Sequence, residues 1–137
     1  MRIPRIYTDQ PLSIGQTVEL DADAANHVGR VLRMKASQVI VLFNGDGQDH
    51  SAELAEVSKK RVTATVTDSQ EVTNESPLSI HLAQGISRGD KMDFTIQKSV
   101  ELGITEITPL FTERCGVKLK GERLEKKHQQ WQKIAIA

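Results

Sequence analysis

The stretch RGDKMDFTIQKSVELG, residues 88–103, decides the fold of the second half of the chain. Apolar residues alternate before it, over residues 78–82, and a second apolar run, over residues 104–111, follows it. Within the stretch, Met92 and Ile96 recur at the spacing of one helix face. A strand, a helix and a second strand in this order predict an α/β unit, in which a right-handed crossover joins two parallel strands.

The predicted helix has defined ends and one apolar side. Ser87 and Asp90 have the spacing of a capping box at its start, and Gly103 is placed to cap its end. The side expected to face the sheet carries Met92, Ile96, Ser99 and Val100. These features predict a helix that packs on the sheet along its length.

A large apolar ring lies on the expected solvent face of this helix. Phe94 projects away from the sheet, in a group formed by Lys91, Gln97, Lys98 and Glu101. An exposed ring of this size predicts a contact with the first domain or with a partner subunit. Stacking on a nucleic acid base is the alternative. Phe94, Lys91 and Lys98 are therefore candidate interface residues.

The first half of the chain is strand-rich and contains one helix. Short strands are predicted over residues 3–7, 17–20, 39–43, 51–57 and 61–67. Residues 44–47, Asn-Gly-Asp-Gly, supply a hairpin turn. The helix is expected to begin at Asp21 or Asp23, either of which can cap it, and to end near Met34. This composition predicts a small all-β barrel, because closure removes exposed sheet edges.

A polar segment, residues 69–77, ends in a proline and separates the two halves. We therefore expect domains over residues 1–72 and 73–137. A last helix is predicted from Glu122, and its apolar stripe is formed by Leu124, Trp131 and Ala135. This helix reaches Ala137 without a capping residue, so the natural chain is expected to continue.

Composition limits the classes of protein that the chain can belong to. Hydrophobic residues make up 38% and charged residues 26% of the 137 residues, as in globular proteins that fold in water. Lys plus Arg equal Asp plus Glu at 18 each, so attraction to a nucleic acid must come from local grouping of charge. The single cysteine, Cys115, excludes an internal disulfide and favours the cytoplasm. No apolar run is long enough for a signal peptide or a membrane span.

Two basic groups in the first half are candidates for RNA binding. The projection packs Ala24, Val28, Val31 and Leu32 on the barrel and leaves Asn26, Arg30 and Arg33 outside, with His27 at the margin and Lys35 beyond. Guanidinium groups pair with phosphate in two-pronged geometry; a solvated helix face is the equally weighted alternative. The second group is Lys59, Lys60 and Arg61, for which protection of a strand edge is the alternative. If RNA binds, both groups should share one side of the barrel.

No catalytic triad, metal site or phosphate loop can be assembled from the sequence. The four histidines, His27, His50, His81 and His128, lack metal-ligand spacing. Cys115 follows a strand beside Arg114, but no histidine is paired with it to support a role as a nucleophile. We therefore expect neither a metal nor a covalent intermediate.

Four segments together resemble the RsmE family, the 16S ribosomal RNA uridine N3-methyltransferases. They are MRIPRIY at residues 1–7, NHVGRVLRMK at 26–35, SRGDKMDFTIQKSVELGITEITPLFTERCGVKL at 87–119 and RLEKKHQQWQKIAIA at 123–137. The resemblance implies a PUA-like RNA-binding barrel followed by a SPOUT methyltransferase domain with a knotted, Rossmann-like parallel sheet. It also implies S-adenosylmethionine as cofactor, 16S ribosomal RNA or the small subunit as partner, and a homodimer.

The chain departs from the family in length. Members continue through a further stretch that carries the knot and the glycine-rich cofactor loops, so the S-adenosylmethionine site is expected to lie mostly beyond residue 137. The SPOUT domain would then be truncated, and this chain alone is expected to be inactive.

Arg114 is the candidate catalytic residue. A uracil N3 proton leaves only near alkaline pH, so its methylation requires a base or a site that stabilises the anion. Arg114 follows the second strand of the α/β unit, where parallel sheets bind ligands. An anion-stabilising or RNA-positioning role and an ordinary surface ion pair are both open. Two other functions also stay open, a non-catalytic RNA-binding module and, more remotely, a dimerisation fragment.

Overall fold

A computed structural model describes residues 3–137 and divides the chain into two compact units, which meet in sequence between Asn74 and Glu75. The first two residues of the MRIPRIY segment lie outside the described residues. Among the described helices, none has the length and apolar character that a membrane span needs.

Unit 1 is built on one five-stranded sheet. Its strands are β1 (Arg5–Tyr7), β2 (Thr17–Glu19), β3 (Val39–Phe43), β4 (Gln48–Val57) and β5 (Val62–Glu71). The order is β1-β3-β4-β5-β2, with β1 parallel to β3 and the other neighbours antiparallel. Alternate side chains enter the core, and those with the least exposure include Ile40, Leu42, Ala52, Leu54, Ala64 and Val66. The period of two that predicted these strands also selects their buried face.

The prediction of a closed barrel is wrong, because β1 and β2 remain the two edges of an open sheet. Each edge strand has 3 residues, and within residues 3–137 no ladder joins them. The segment between them contributes a side-chain bridge instead. Gln10 Nε2 donates to the Glu19 carbonyl oxygen at 2.6 Å, and Asn44 Nδ2 donates to the Gln10 carbonyl oxygen at 3.1 Å. A side-chain amide thus satisfies a carbonyl of the edge strand β2, and a second one satisfies a carbonyl of the segment that joins β1 to β2.

The helix of unit 1 begins as predicted but ends early. Helix α1 (Ala22–Asn26) is capped by Asp21, whose Oδ1 accepts from the Ala24 N–H at 2.7 Å. A π-helical segment (His27–Val31) follows, and the Leu32 N–H donates to the His27 carbonyl at 2.9 Å. The prediction that the helix reaches Met34 is therefore wrong.

The π-helical segment also changes which side chains are buried. Val28 is fully buried as predicted, whereas Val31 and Leu32 are 62% and 40% exposed and do not pack on the sheet as predicted. A π turn holds one more residue than an α turn, so the positions after it rotate away from the face that α periodicity assigns to them.

Unit 2 contains the predicted strand-helix-strand order. Strands β6 (His81–Gly85) and β7 (Glu106–Leu110) are parallel and are connected through helix α2 (Asp90–Glu101). Helix α3 (Glu122–Ile136) follows, and Trp131 and Ala135 pack in the core as its stripe predicted. Met92 and Ile96 are buried, which confirms the main part of the sheet-facing side, but Val100 remains 36% exposed.

The two ends of α2 differ in how well they were predicted. Gly103 has a φ of +87°, with the Ile104 N–H donating to Ser99 and the Gly103 N–H donating to Val100. This pattern is a Schellman cap and confirms the role of Gly103. At the other end the predicted capping box is wrong, because the N-cap is Gly89 and no side chain bonds to it.

Asp93 joins α2 to α3. Its Oδ1 accepts from Trp131 Nε1 at 3.1 Å and from Lys127 Nζ at 3.3 Å, and its Oδ2 accepts from Gln130 Nε2 at 2.9 Å. Three donors, at positions 127, 130 and 131 of α3, hold this carboxylate. The helix pair is therefore held by polar contacts as well as by the apolar core.

Candidate functional site

The exposed cations of unit 1 gather at one end of its sheet. A Cβ built on Gly29 would lie 3.7 Å from Val57 Cγ1 and 4.0 Å from Val62 Cγ2. These two valines flank the turn Ser58–Arg61, so the π-helical segment lies over the strands that enter and leave this turn. We call this region the basic end; its exposed cationic residues are Arg30, Arg33, Lys35, Lys59, Lys60 and Arg61. Gly29 thus brings the segment that carries Arg30 close to the turn that carries Lys59 and Lys60.

The turn of the basic end is held by one serine. Ser58 Oγ donates to the Arg61 carbonyl at 3.0 Å and accepts from the backbone N–H groups of Lys60 and Arg61 at 3.3 and 3.0 Å. Arg61 itself pairs with Glu19, Nε to Oε2, at 3.0 Å, so part of its charge is neutralised. Lys59 and Lys60 are therefore the cations that this turn presents.

Backbone geometry distinguishes the segment that carries the arginines. Arg33 has a φ of 53°, a left-handed conformation that residues with a Cβ rarely adopt. Asn26 and His27 are exposed and lie at the junction of α1 with the π-helical segment. π-helical turns and left-handed non-glycine residues both concentrate at functional sites, so these observations mark the segment around Arg30 and Arg33.

The carboxyl ends of β6 and β7 form a second candidate site, which we call the strand-end site. The Ile86 N–H donates to the Leu110 carbonyl at 3.0 Å, and Cys115 Sγ donates to the Ile86 carbonyl at 3.3 Å. The segment after β7 is therefore fastened to the end of β6, and Arg114 lies exposed within it. The Cys115 thiol also contacts the Val117 carbonyl at 3.4 Å and packs against the core, which favours a structural role.

Sequence reasoning missed Arg88 at the strand-end site. Its guanidinium lies against Gly116, with Nη2 3.5 Å from the Gly116 carbonyl oxygen. A Cβ on residue 116 would come within 2.5 Å of Nη2 and 2.7 Å of Nε, a separation that real Cβ atoms do not show. No local pattern reveals such a contact between distant positions. The side chain of Arg88 is thereby placed beside the segment that carries Arg114.

A buried histidine was also missed. His50 is 2% exposed, with Nδ1 2.8 Å from Ser69 Oγ and Nε2 2.9 Å from Asp46 Oδ2. The hydrogen bond with His50, followed by the one from the Gln48 N–H, lowers the pKa of Asp46 below its usual value. The residue types match a hydrolytic triad, but the ring is enclosed and both nitrogens are engaged. The cluster instead fastens the turn before β4 to β5.

The candidate interface residues of unit 2 are accessible. Phe94 is 63% exposed, as predicted, and Lys98 Nζ lies 5.9 Å from the centroid of its ring while pairing with Glu101 at 2.7 Å. Lys91 is exposed on the same helix. Their contact with a partner stays a prediction. In the part of the chain that the structure describes, no three His, Cys, Asp or Glu side chains are grouped as a metal site would require.

Two family descriptions match consecutive parts of the chain. Residues 20–67 match an RNA methyltransferase PUA domain, and residues 74–137 match an RNA methyltransferase domain. The first match lies within unit 1. The second covers all of unit 2 and begins at Asn74, the last residue of unit 1.

Relatives extend the match over nearly the whole chain. Ribosomal RNA small subunit methyltransferase E of Buchnera aphidicola (Schizaphis graminum) is 40% identical over 99% of the chain and 55% of its own length. The Bacillus subtilis protein of that name is 32% identical over 93% of the chain and 50% of its own length. The crystal structure of the Neisseria gonorrhoeae protein, bound to S-adenosyl methionine, superposes with a TM-score of 0.92 at 47% identity, over 97% of this chain and 55% of that one.

The chain thus spans about half the length of the relatives it matches, and both of its units are similar to RNA methyltransferase domains. On these matches, the chain belongs to the RsmE family, the ribosomal RNA small subunit methyltransferases E.

Proposed function

We propose that this chain is part of an S-adenosylmethionine-dependent enzyme that methylates N3 of a uridine in 16S ribosomal RNA. The observation that carries the proposal is the superposition of both units on a ribosomal RNA methyltransferase with S-adenosyl methionine bound. Action on small ribosomal subunits implies the cytoplasm as the compartment.

Within the proposed enzyme, unit 1 binds the RNA. Its basic end presents Arg30, Arg33, Lys59 and Lys60 to solvent over one end of the sheet. Such a group neutralises several phosphates at once and gives binding that weakens with salt. Asn26 and His27, at the start of the π-helical segment, add polar groups that can contact bases or sugars.

The described residues do not by themselves fit S-adenosylmethionine. The cavity between α2, α3 and β7 has a volume of about 300 Å³ and a mainly apolar lining that includes Ile96, Ile107, Pro109 and Trp131. A methyl donor with a charged sulfur, an amino acid group and a nucleoside needs several converging polar groups. We therefore propose that most of the cofactor site is supplied by residues that follow position 137 in the relatives, and that this chain alone binds RNA without turnover.

Arg114 is the proposed catalytic residue. It lies exposed at the strand-end site, where the Arg88 guanidinium lies against Gly116 of the same segment. Loss of the N3 proton leaves negative charge on the uracil ring, and a fixed guanidinium next to that ring stabilises it. Either arginine can also hold a neighbouring phosphate.

The proposed enzyme is a homodimer, with Phe94, Lys91 and Lys98 at its interface.

Methyl transfer can be tested with the complete gene product. We expect purified enzyme, labelled S-adenosylmethionine and small subunits that lack the modification to yield 3-methyluridine, identified by mass spectrometry after nuclease digestion. Residues 1–137 alone, assayed in parallel, should transfer no label while retaining RNA affinity. Label at a uracil carbon, at a ribose or in the large subunit would contradict the assignment.

Substitution of Arg114 tests its role separately. In the complete enzyme, Arg114→Ala is expected to lower the methylation rate about 100-fold, because one donor to a developing anion is lost. Single-turnover rates on saturating subunits measure this effect without a contribution from RNA affinity. Lys118→Ala is the control, since it removes an exposed cation from the same segment. An unchanged rate and an unchanged RNA affinity for Arg114→Ala would exclude the proposed role.

A further inference from the structure

Two adjacent aliphatic side chains protrude from the basic end. Val31 and Leu32 are 62% and 40% exposed, and they lie in sequence directly between the exposed Arg30 and Arg33. Isolated exposed aliphatic residues are common, but an adjacent pair flanked in sequence by two exposed arginines is not an ordinary solvated surface.

The backbone holds this pair outside rather than leaving it loose. Val28, before it, is fully buried, and Met34, after it, is 7% exposed and donates its N–H to the Val28 carbonyl at 3.0 Å. Between these anchors the chain makes the π-type bond from Leu32 to His27 and passes through the left-handed Arg33. An unfavourable backbone conformation persists only where its surroundings enforce it. The protruding pair is therefore a built feature of the fold.

The charge around the pair indicates what covers it. Arg30 and Arg33 flank it, and Lys59 and Lys60 lie in the turn below the π-helical segment. A complementary ligand must offer several anions together with apolar faces at short spacing. Unpaired RNA does so, since its bases expose flat faces while its phosphates run alongside. In a duplex, those faces are stacked and out of reach.

We propose that Val31 and Leu32 form an apolar contact for unstacked bases of single-stranded RNA while Arg30 and Arg33 hold the adjacent phosphates. The proposal rests on the RNA binding of the proposed function and deepens it: the preferred substrate is a loop or an unpaired strand. Side chains that insert against or between bases act in this way in other nucleic acid complexes. The arginines supply salt-dependent affinity, and the aliphatic pair supplies the preference for unpaired RNA.

The two contributions can be separated by their salt dependence. The 137-residue chain and its variants are titrated into a fluorescein-labelled single strand and a hairpin duplex of the same composition, with anisotropy recorded at several salt concentrations. Leu32→Ser is expected to weaken single-strand binding roughly tenfold, through lost apolar burial, and to leave the slope against log salt unchanged. Arg30→Gln should reduce that slope by about 0.7 on single-stranded RNA.

The control variant is Ile14→Ser, which removes an aliphatic side chain of 65% exposure from the loop between β1 and β2. Ile14→Ser should change the affinity for neither the single strand nor the duplex. Circular dichroism establishes that every variant is folded, and sedimentation velocity establishes its oligomeric state.

Three results would overturn the proposal. In the first, Leu32→Ser leaves single-strand affinity unchanged although the unsubstituted chain binds with a steep salt slope; RNA binding would then stand without the aliphatic contact. In the second, Leu32→Ser weakens duplex and single strand equally. In the third, Leu32→Ser converts a dimer into a monomer, and the pair is a protein interface. An unsubstituted chain that binds no RNA would overturn the RNA-binding part of the proposed function as well.

Discussion

Replacing Trp131 with alanine is expected to lower the free energy of unfolding of unit 2 by about 3–5 kcal/mol, the range for truncation of a buried aromatic residue. Trp131 is 4% exposed in a core that it shares with Ile86, Met92 and Ile96. Its Nε1 also donates to Asp93 Oδ1 at 3.1 Å, so the substitution removes a contact between α2 and α3 as well as core volume. In so small a unit this loss is comparable to the whole free energy of folding.

Urea unfolding of the 137-residue chain measures the effect, with amide hydrogen exchange of α2 and α3 assigning it to unit 2. Circular dichroism must serve as the probe, since Trp131 is the only tryptophan. Trp131→Phe keeps most of the ring volume and should cost less, and Gln132→Ala, at the exposed neighbouring position, should change stability by less than about 0.5 kcal/mol. Equal stability of Trp131→Ala and the unsubstituted chain would contradict the described packing.

The double substitution of Arg30 and Arg33 by glutamine is expected to weaken RNA binding about 100-fold at low salt, since each hydrogen-bonded charge contributes about tenfold. Both arginines are exposed at the basic end. On single-stranded RNA, the double substitution should also lower the slope of log affinity against log salt concentration by about 1.4, which is twice the value for one phosphate contact. Filter binding to a single-stranded fragment of small-subunit RNA over a salt series provides the measurement.

Arg5→Gln is the matched control. Arg5 is likewise an arginine of unit 1, but its Nη2 lies 2.7 Å from Asp49 Oδ1 and its guanidinium lies 4.6 Å from the centroid of the Phe43 ring. Because the charge of Arg5 is already paired with Asp49, its removal should change the slope of log affinity against log salt concentration little. If Arg5→Gln reduces RNA binding as much as the double variant does, the basic end is not the main phosphate contact.

Local patterns predicted the features that depend on local chemistry. Asp21 caps α1, Gly103 ends α2 in a Schellman cap, and Phe94 stands exposed among lysines, because each depends on residues within one or two helical turns. The parallel pair of β6 and β7 followed from the element order, since a helix between two strands allows few other connections.

The features that were missed depend on backbone irregularity or on distant contacts. The π-helical segment adds a residue to one turn, and α periodicity then assigns Val31 and Leu32 to the wrong face. At the edge of the open sheet, the Gln10 side chain donates to the Glu19 carbonyl, a contact that no alternation of apolar residues indicates. The enclosure of His50 between Ser69 and Asp46 likewise joins residues of different strands and turns.

The contact between Arg88 and Gly116 makes two distant positions depend on each other. While residue 88 is an arginine in this orientation, any side chain at residue 116 must displace its guanidinium, a small shift because that group is the far end of a flexible, exposed side chain. Their substitution effects should therefore not add. RsmE sequences that replace the glycine are therefore expected either to orient the arginine differently or to have a smaller residue in its place.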